Sequence, residues 1–162
     1  MAEHHIAQLN VARFRLPLDD PSMAGFVAAL DPLNAVADAA PGFVWRLQTE
    51  EGNATSIHAF DDDLLLINMS VWESVDALAT YVYGPDHVAV MRRRREWAQS
   101  MEEAHLVLWW IPASAIPTID EAIERLEQLR ALGPSPLAFT FKRRFSPDET
   151  LVASPEDWLC PA

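Results

Sequence analysis

Cysteine is nearly absent from this chain: Cys160 is the only one in 162 residues. No intrachain disulfide can form, which excludes a small disulfide-stapled secreted scaffold and makes a reducing, cytoplasmic setting the expectation. Positive charge is also scarce. Twelve lysines and arginines stand against 24 aspartates and glutamates, a net charge of -12. That balance excludes the basic footprint that nucleic acid or an anionic membrane surface requires. No run reaches the roughly 18 apolar residues of a membrane span. The opening Met1-Ala2-Glu3-His4-His5 has neither the basic nor the apolar region of a secretory signal, so none is expected. Familiar cofactor motifs are missing too. There is no GxGxxG, P-loop, GxSxG or CxxC, and no histidine, His58 and His105 included, is spaced to join another metal ligand. No metal site is expected.

What is present has a globular balance, with 50% hydrophobic and 22% charged residues. One domain over residues 1–145 is expected, followed by a proline- and acid-bearing tail at 146–162. Residues 5–14 alternate as a strand. Ser22 and then Asp31-Pro32 open two short helices, which Pro41-Gly42 stops. Residues 43–49 and 64–72 read as strands, with a possible hairpin turn at Glu51-Gly52-Asn53 between them. Helices follow over 73–83 and from Asp86 to about Met101, broken at Gly84-Pro85. A strand over 104–111 precedes a helix with a capping box at Thr118-Ile119-Asp120-Glu121, and a fifth strand is expected over 137–145. The order β-α-β-β-α-β is the ferredoxin-like split unit, so the expected class is α+β: an antiparallel sheet with helices on one face, plus an added C-terminal helix and strand. Its second face would need cover. Two copies could supply it, as a homodimer whose sheets close a dimeric α/β barrel around a small-molecule cavity.

Site residues follow from sidedness. Leu65, Ile67, Met69 and Val71 form a wholly apolar face that should meet the helices. Asn68, Ser70 and Trp72 lie opposite, and Gln8 and Asn10 sort to the same side of the first strand. Buried amides need partners, which could be a ligand or one another. On a continuous helix from Asp86, His87 and Arg94 share the apolar face. His87 could move a proton or be a satisfied core residue, and Arg94 could hold an anionic ligand or a protein carboxylate. Tyr81 and one of Trp109 and Trp110, taken as Trp109, are expected to wall the cavity.

Several stretches together resemble a known family: Pro41-Gly-Phe-Val-Trp-Arg-Leu47, Asn68-Met-Ser-Val-Trp72, Tyr83 followed by His87, Arg92-Arg-Arg-Arg-Glu-Trp97, Leu108-Trp-Trp-Ile-Pro112 and Ala138-Phe-Thr-Phe141. The chain is similar over about residues 5–145 to an uncharacterised bacterial domain family of the dimeric α/β-barrel superfamily, beside the antibiotic biosynthesis monooxygenases. The resemblance implies this fold and a homodimer. More distantly, Asn10 and Trp72 resemble the asparagine and tryptophan that haem-degrading and quinone-forming monooxygenases place around their cavity. His87 lies in the helix where haem-degrading members carry their ligand, at a longer offset across Gly84-Pro85. The expectation is a cofactor-independent, monooxygenase-like enzyme for an aromatic or polyketide-like substrate. Its catalytic residues would be His87, Asn68 and Trp72, and its binding residues Asn10, Ser70, Arg94, Tyr81 and Trp109. The alternatives are a non-catalytic binding or structural homodimer, and a haem protein.

Overall fold

The computed structural model describes residues 3–48 and 64–152, the side chains of 150–152 excepted. The expected turn at Glu51-Gly52-Asn53, along with His58 and Cys160, lies outside them. β1 (His4–Arg13) is flanked by β3 (Leu65–Trp72) and β4 (Leu106–Pro112), and β2 (Phe43–Arg46) lies outside β3. The order β2-β3-β1-β4, with every pairing antiparallel, is that of the split unit read from the sequence. The β1–β3 register sets Asn10 opposite Asn68, Gln8 opposite Ser70 and Ile6 opposite Trp72.

Between β1 and β2 a 3₁₀ turn at Pro21–Met23 leads into α1 (Ala24–Ala39). α1 is one helix with Pro32 inside it, where the sequence suggests two. Proline removes one helical hydrogen bond. Both halves are nevertheless pinned by tertiary contacts: Phe26 packs with Phe14 and Trp97, and Ala37 belongs to the cluster around Trp72. Gly42 then turns the chain at φ 83°, where a Cβ would stand 2.6 Å from that of Ala77. Gly42→Ala is therefore expected to cost about 2–4 kcal/mol, combining a left-handed backbone with overpacking. Urea unfolding checks this, and a cost below about 0.5 kcal/mol would mean that the turn relaxes freely.

After β3 come α2 (Val75–Val82), α3 (Pro85–Arg92) and the single turn α4 (Arg94–Trp97). The Ser74 hydroxyl accepts from the Ala77 N–H and starts α2. The continuous helix expected from Asp86 breaks at Arg93, whose φ/ψ of -93°/2° lies in the bridge region. After β4, Thr118 caps α5 (Ile119–Leu132) by accepting from the Glu121 N–H, as its capping box predicts. The added strand over 137–145 is shortened to two isolated bridges, the local pair Ser135 with Ala138 and, on the sheet, Leu108 with Phe139. Just beyond it the Thr140 hydroxyl accepts from the Arg143 N–H, and this local turn competes with further pairing. Within the expected tail, Pro147–Val152 forms a short helix, α6. Among the described residues no helix is long and apolar enough to cross a membrane.

α1 to α4 lie on one face of the sheet, as the split unit requires, and the added α5 lies on the other. The faces are exchanged relative to the sequence expectation. Leu9, Met69, Val71, Val107 and Trp109 pack under α5 through Ala122, Leu126 and Leu129. Ile6, Trp72 and Leu108 meet Ala37, Val75 and Leu78 of the α1/α2 layer. The reason is that both faces of β3 carry enough apolar surface to be covered. Alternation separates two such faces but does not say which helices cover which.

Candidate functional site

Along the α1–α4 face two apolar clusters stand apart. One holds Ile6, Trp72, Leu108 and Phe139, and the other holds Phe14, Met23, Leu66 and Trp97. Between them the sheet presents Gln8, Asn10, Asn68 and Ser70. Asn68 is exposed in mid-strand, although its neighbours Ile67 and Met69 are 5% and 1% exposed. The helical layer is therefore open above Asn68, and this opening is a cleft with a polar floor and apolar ends.

Hydrogen bonding sets the polarity of that floor. Gln8 Nε2 donates to Asn68 Oδ1 and to Ser70 Oγ, both at 2.8 Å, and the Trp72 indole N–H donates to Ser70 Oγ at 2.9 Å. Both protons of the Gln8 amide are spent, and Asn68 Oδ1 is occupied. Among the described residues the Asn68 Nδ2 donors have no hydrogen-bond partner. Asn10 sits half-buried opposite it.

Aromatic rings continue the wall. Tyr81 stacks on Trp72 at 5.2 Å, Phe43 meets the same indole edge-on at 5.4 Å, and His87 meets Tyr81 edge-on at 5.3 Å. The Tyr81 hydroxyl donates to the Leu33 carbonyl of α1 at 3.2 Å. Burial pushes its pKa up to about 12, with Asp38 and Asp86 adding to the rise and Arg46 opposing it, so it stays a neutral donor. His87 is half-buried. Burial lowers its pKa, partly offset by a backbone hydrogen bond at Val82, and its Nδ1 is buried without a partner. The folded state thus favours neutral imidazole. That contribution to stability is complete above the unfolded pKa near 6.5 and is lost as pH falls through that value toward the depressed folded one. Urea midpoints of the native chain are expected to fall more steeply from pH 7 to pH 5.5 than those of His87→Gln. Parallel pH profiles would refute the burial.

Of the residues picked out from the sequence, Asn10, Asn68, Ser70, Trp72, Tyr81 and His87 share this face. Two do not join them. Arg94 is exposed, and its guanidinium donates to the Met91 carbonyl at 3.4 Å. The break at Arg93 resets the helical phase that had placed it beside His87. Trp109 is fully buried on the α5 face, where its indole N–H donates to Glu121 at 3.2 Å. It follows Ala7 and Leu9 in the alternation, and Trp110 takes the α1–α4 side. The hub that the sequence left out of the site is Gln8, although amides at Gln8 and Asn10 mark one face of an otherwise apolar strand.

Among the described residues no group of three or more His, Cys, Asp or Glu could hold a metal ion. Axial ligation of haem requires an accessible imidazole nitrogen. In His87 the buried nitrogen is Nδ1, which leaves Nε2 as the nitrogen for such a role.

Fold and site together define an α+β protein of split β-α-β-β-α-β topology, with a polar-floored cleft beneath its first helical layer. The chain belongs to the family described as domain of unknown function DUF3291, which it matches over residues 5–154. Among solved structures it is similar to SnoaB, a cofactor-independent oxygenase from Streptomyces nogalater, at 17% identity and a TM-score of 0.46, covering 71% of this chain and 96% of that one. It is also similar to Rv0793 from Mycobacterium tuberculosis, at 12% identity and 0.47, covering 70% and 99%. A third is a putative antibiotic biosynthesis monooxygenase from Chloroflexus aurantiacus J-10-fl, at 13% identity and 0.44, covering 71% and 98%. At these values the likeness is one of outline, and no residue role follows from it. No curated protein matches the chain.

Proposed function

We propose that this chain is a small-molecule enzyme that oxidises an aromatic, polyketide-like substrate with dioxygen and no cofactor, in the cleft above Asn68. The observation that supports it best is the exposed Asn68 amide, whose oxygen is held by Gln8. Donors fixed in this way suit a carbonyl or phenolate oxygen and stabilise the charge that grows there as a substrate C–H is deprotonated. The half-buried ring of Tyr81, stacked on the buried Trp72, suits a flat substrate. His87, held neutral, would take the proton. The carbanion then reduces dioxygen, so that a CH₂ group and O₂ become a carbonyl and water. The reaction class comes from the sequence resemblance, and the placement of groups comes from the cleft.

Oxygen uptake with anthrone, a tricyclic ketone with an acidic CH₂, tests the reading. Asn68→Ala and His87→Ala are each expected to lower the rate about 100-fold. Native rates in both variants would end it. The hydrogen-bonded chain Trp72–Ser70–Gln8–Asn68 favours a second reading, a binding module without turnover, because it orients an amide without any titratable group. Anthrone binding that depends on Asn68, with no oxygen uptake, would select that reading. A homodimer belongs to the same proposal, although α5 already covers the sheet face through which two copies were expected to meet. The cleft groups described here all come from one chain, so dilution through dimer dissociation is expected to leave ligand affinity unchanged.

A further inference from the structure

Beneath the exposed Asn68 lies a second amide that is itself buried. Gln8 is 6% exposed and Ser70 is 7% exposed. A ligand entering the cleft therefore meets Asn68, and Gln8 acts from below. The hydrogen bonds among these residues have a direction. The Trp72 indole nitrogen, which can only donate, gives its proton to Ser70 Oγ. Gln8 Nε2 gives one proton to Ser70 Oγ and the other to Asn68 Oδ1. Turning Asn68 over alone would set its N–H groups against those of Gln8, donor against donor at 2.8 Å. Presenting the Asn68 oxygen to the cleft would require Asn68, Gln8 and the Ser70 hydroxyl to reverse together, and two of those three are held in packed surroundings. The Asn10 side chain, opposite Asn68, has no hydrogen-bond partner among the described residues, so its amide can turn to suit a ligand and does not select one.

We propose that Gln8 is a positioning residue that fixes the polarity of the cleft. By holding the Asn68 oxygen it leaves that amide only N–H groups to offer, so the cleft selects flat ligands carrying a hydrogen-bond acceptor over ligands of the same shape carrying a donor. The inference rests on the reading of the cleft above and narrows its ligand class to aromatic ketones and related oxygen acceptors. A donor brought to Asn68 meets N–H groups and leaves both sides unpaired, which is the larger part of the discrimination.

Fluorenone and carbazole test this, because they share one flat tricycle and differ at a single ring position, a C=O in the first and an N–H in the second. Equilibrium dialysis with the native chain is expected to give fluorenone a Kd about tenfold lower than that of carbazole. Gln8→Met keeps the length of the side chain and removes its amide. Asn68 can then turn, and the two Kd values should come within about twofold of each other. Gln8→Glu keeps the shape, and at about pH 9 its carboxylate, even with a pKa raised by burial, is ionised and can only accept. Asn68 must then donate to it and present its oxygen, so the preference should pass to carbazole. A residue that merely supported the sheet would weaken both ligands in proportion and leave their ratio unchanged. A fluorenone preference that persists in either variant, or no such preference in the native chain, overturns the role of Gln8. The reading of the cleft still stands in that case if Asn68→Ala weakens fluorenone binding. If neither ligand binds the native chain, both fall.

Discussion

Replacing Trp72 with alanine is expected to lower stability by about 3–5 kcal/mol, the range for deleting a large buried aromatic. Trp72 is 1% exposed, stacks on Tyr81 and meets Phe43 edge-on. Its removal also strips a donor from Ser70 Oγ, a buried hydroxyl that then keeps only Gln8. Trp72→Phe separates the two contributions. It preserves most of the packing and loses the indole N–H, so a cost of about 1–2 kcal/mol is expected. Urea unfolding of both variants decides the matter. A loss under 1 kcal/mol for the alanine variant would mean that the ring does not bridge sheet and helices as described.

Asn68→Ala should behave in the opposite way. The residue is exposed, and its recorded bond is the one it accepts from Gln8, whose amide keeps Ser70 as a second partner. Stability is therefore expected to move by less than about 1 kcal/mol. Affinity for an aromatic ketone should fall about 10- to 100-fold, the value of one oriented hydrogen bond in a partly desolvated site. Titration calorimetry beside urea unfolding reads both quantities on the same sample. Unchanged affinity would remove Asn68 from the site, and with it the main support for the cleft. The contrast is itself informative, since under this proposal Trp72 carries structure whereas Asn68 carries the ligand alone.

Strand order and most helices were legible in the sequence because local signals agreed with global ones. Alternation in β1, the near-continuous apolar run of β3 and the box at Thr118 each fix an element without tertiary help. The grouping of Asn10, Asn68, Ser70 and Trp72 was legible for the same reason, since residues two apart on paired strands must share a face. Three features depend on information that periodicity lacks. The first is which helices cover which face, because Met69 and Trp72 are equally suited to burial. The second is the phase of Arg94, which depends on a single residue, Arg93, leaving helical geometry. The third is Gln8, whose importance lies in its two hydrogen-bond partners, one at Asn68 and one at Ser70, rather than in its position.

α5 has a bearing on how the chain is made. The four strands are complete at Pro112, yet the side carrying Leu9, Met69, Val107 and Trp109 is dry only once Leu132 has left the ribosome. At roughly 5–20 residues per second, the nascent sheet holds a wet greasy flank for about 1–4 s. A chaperone that grips apolar strands would find its target in that interval, and a nonsense codon between Pro112 and Ile119 would leave the flank permanently bare.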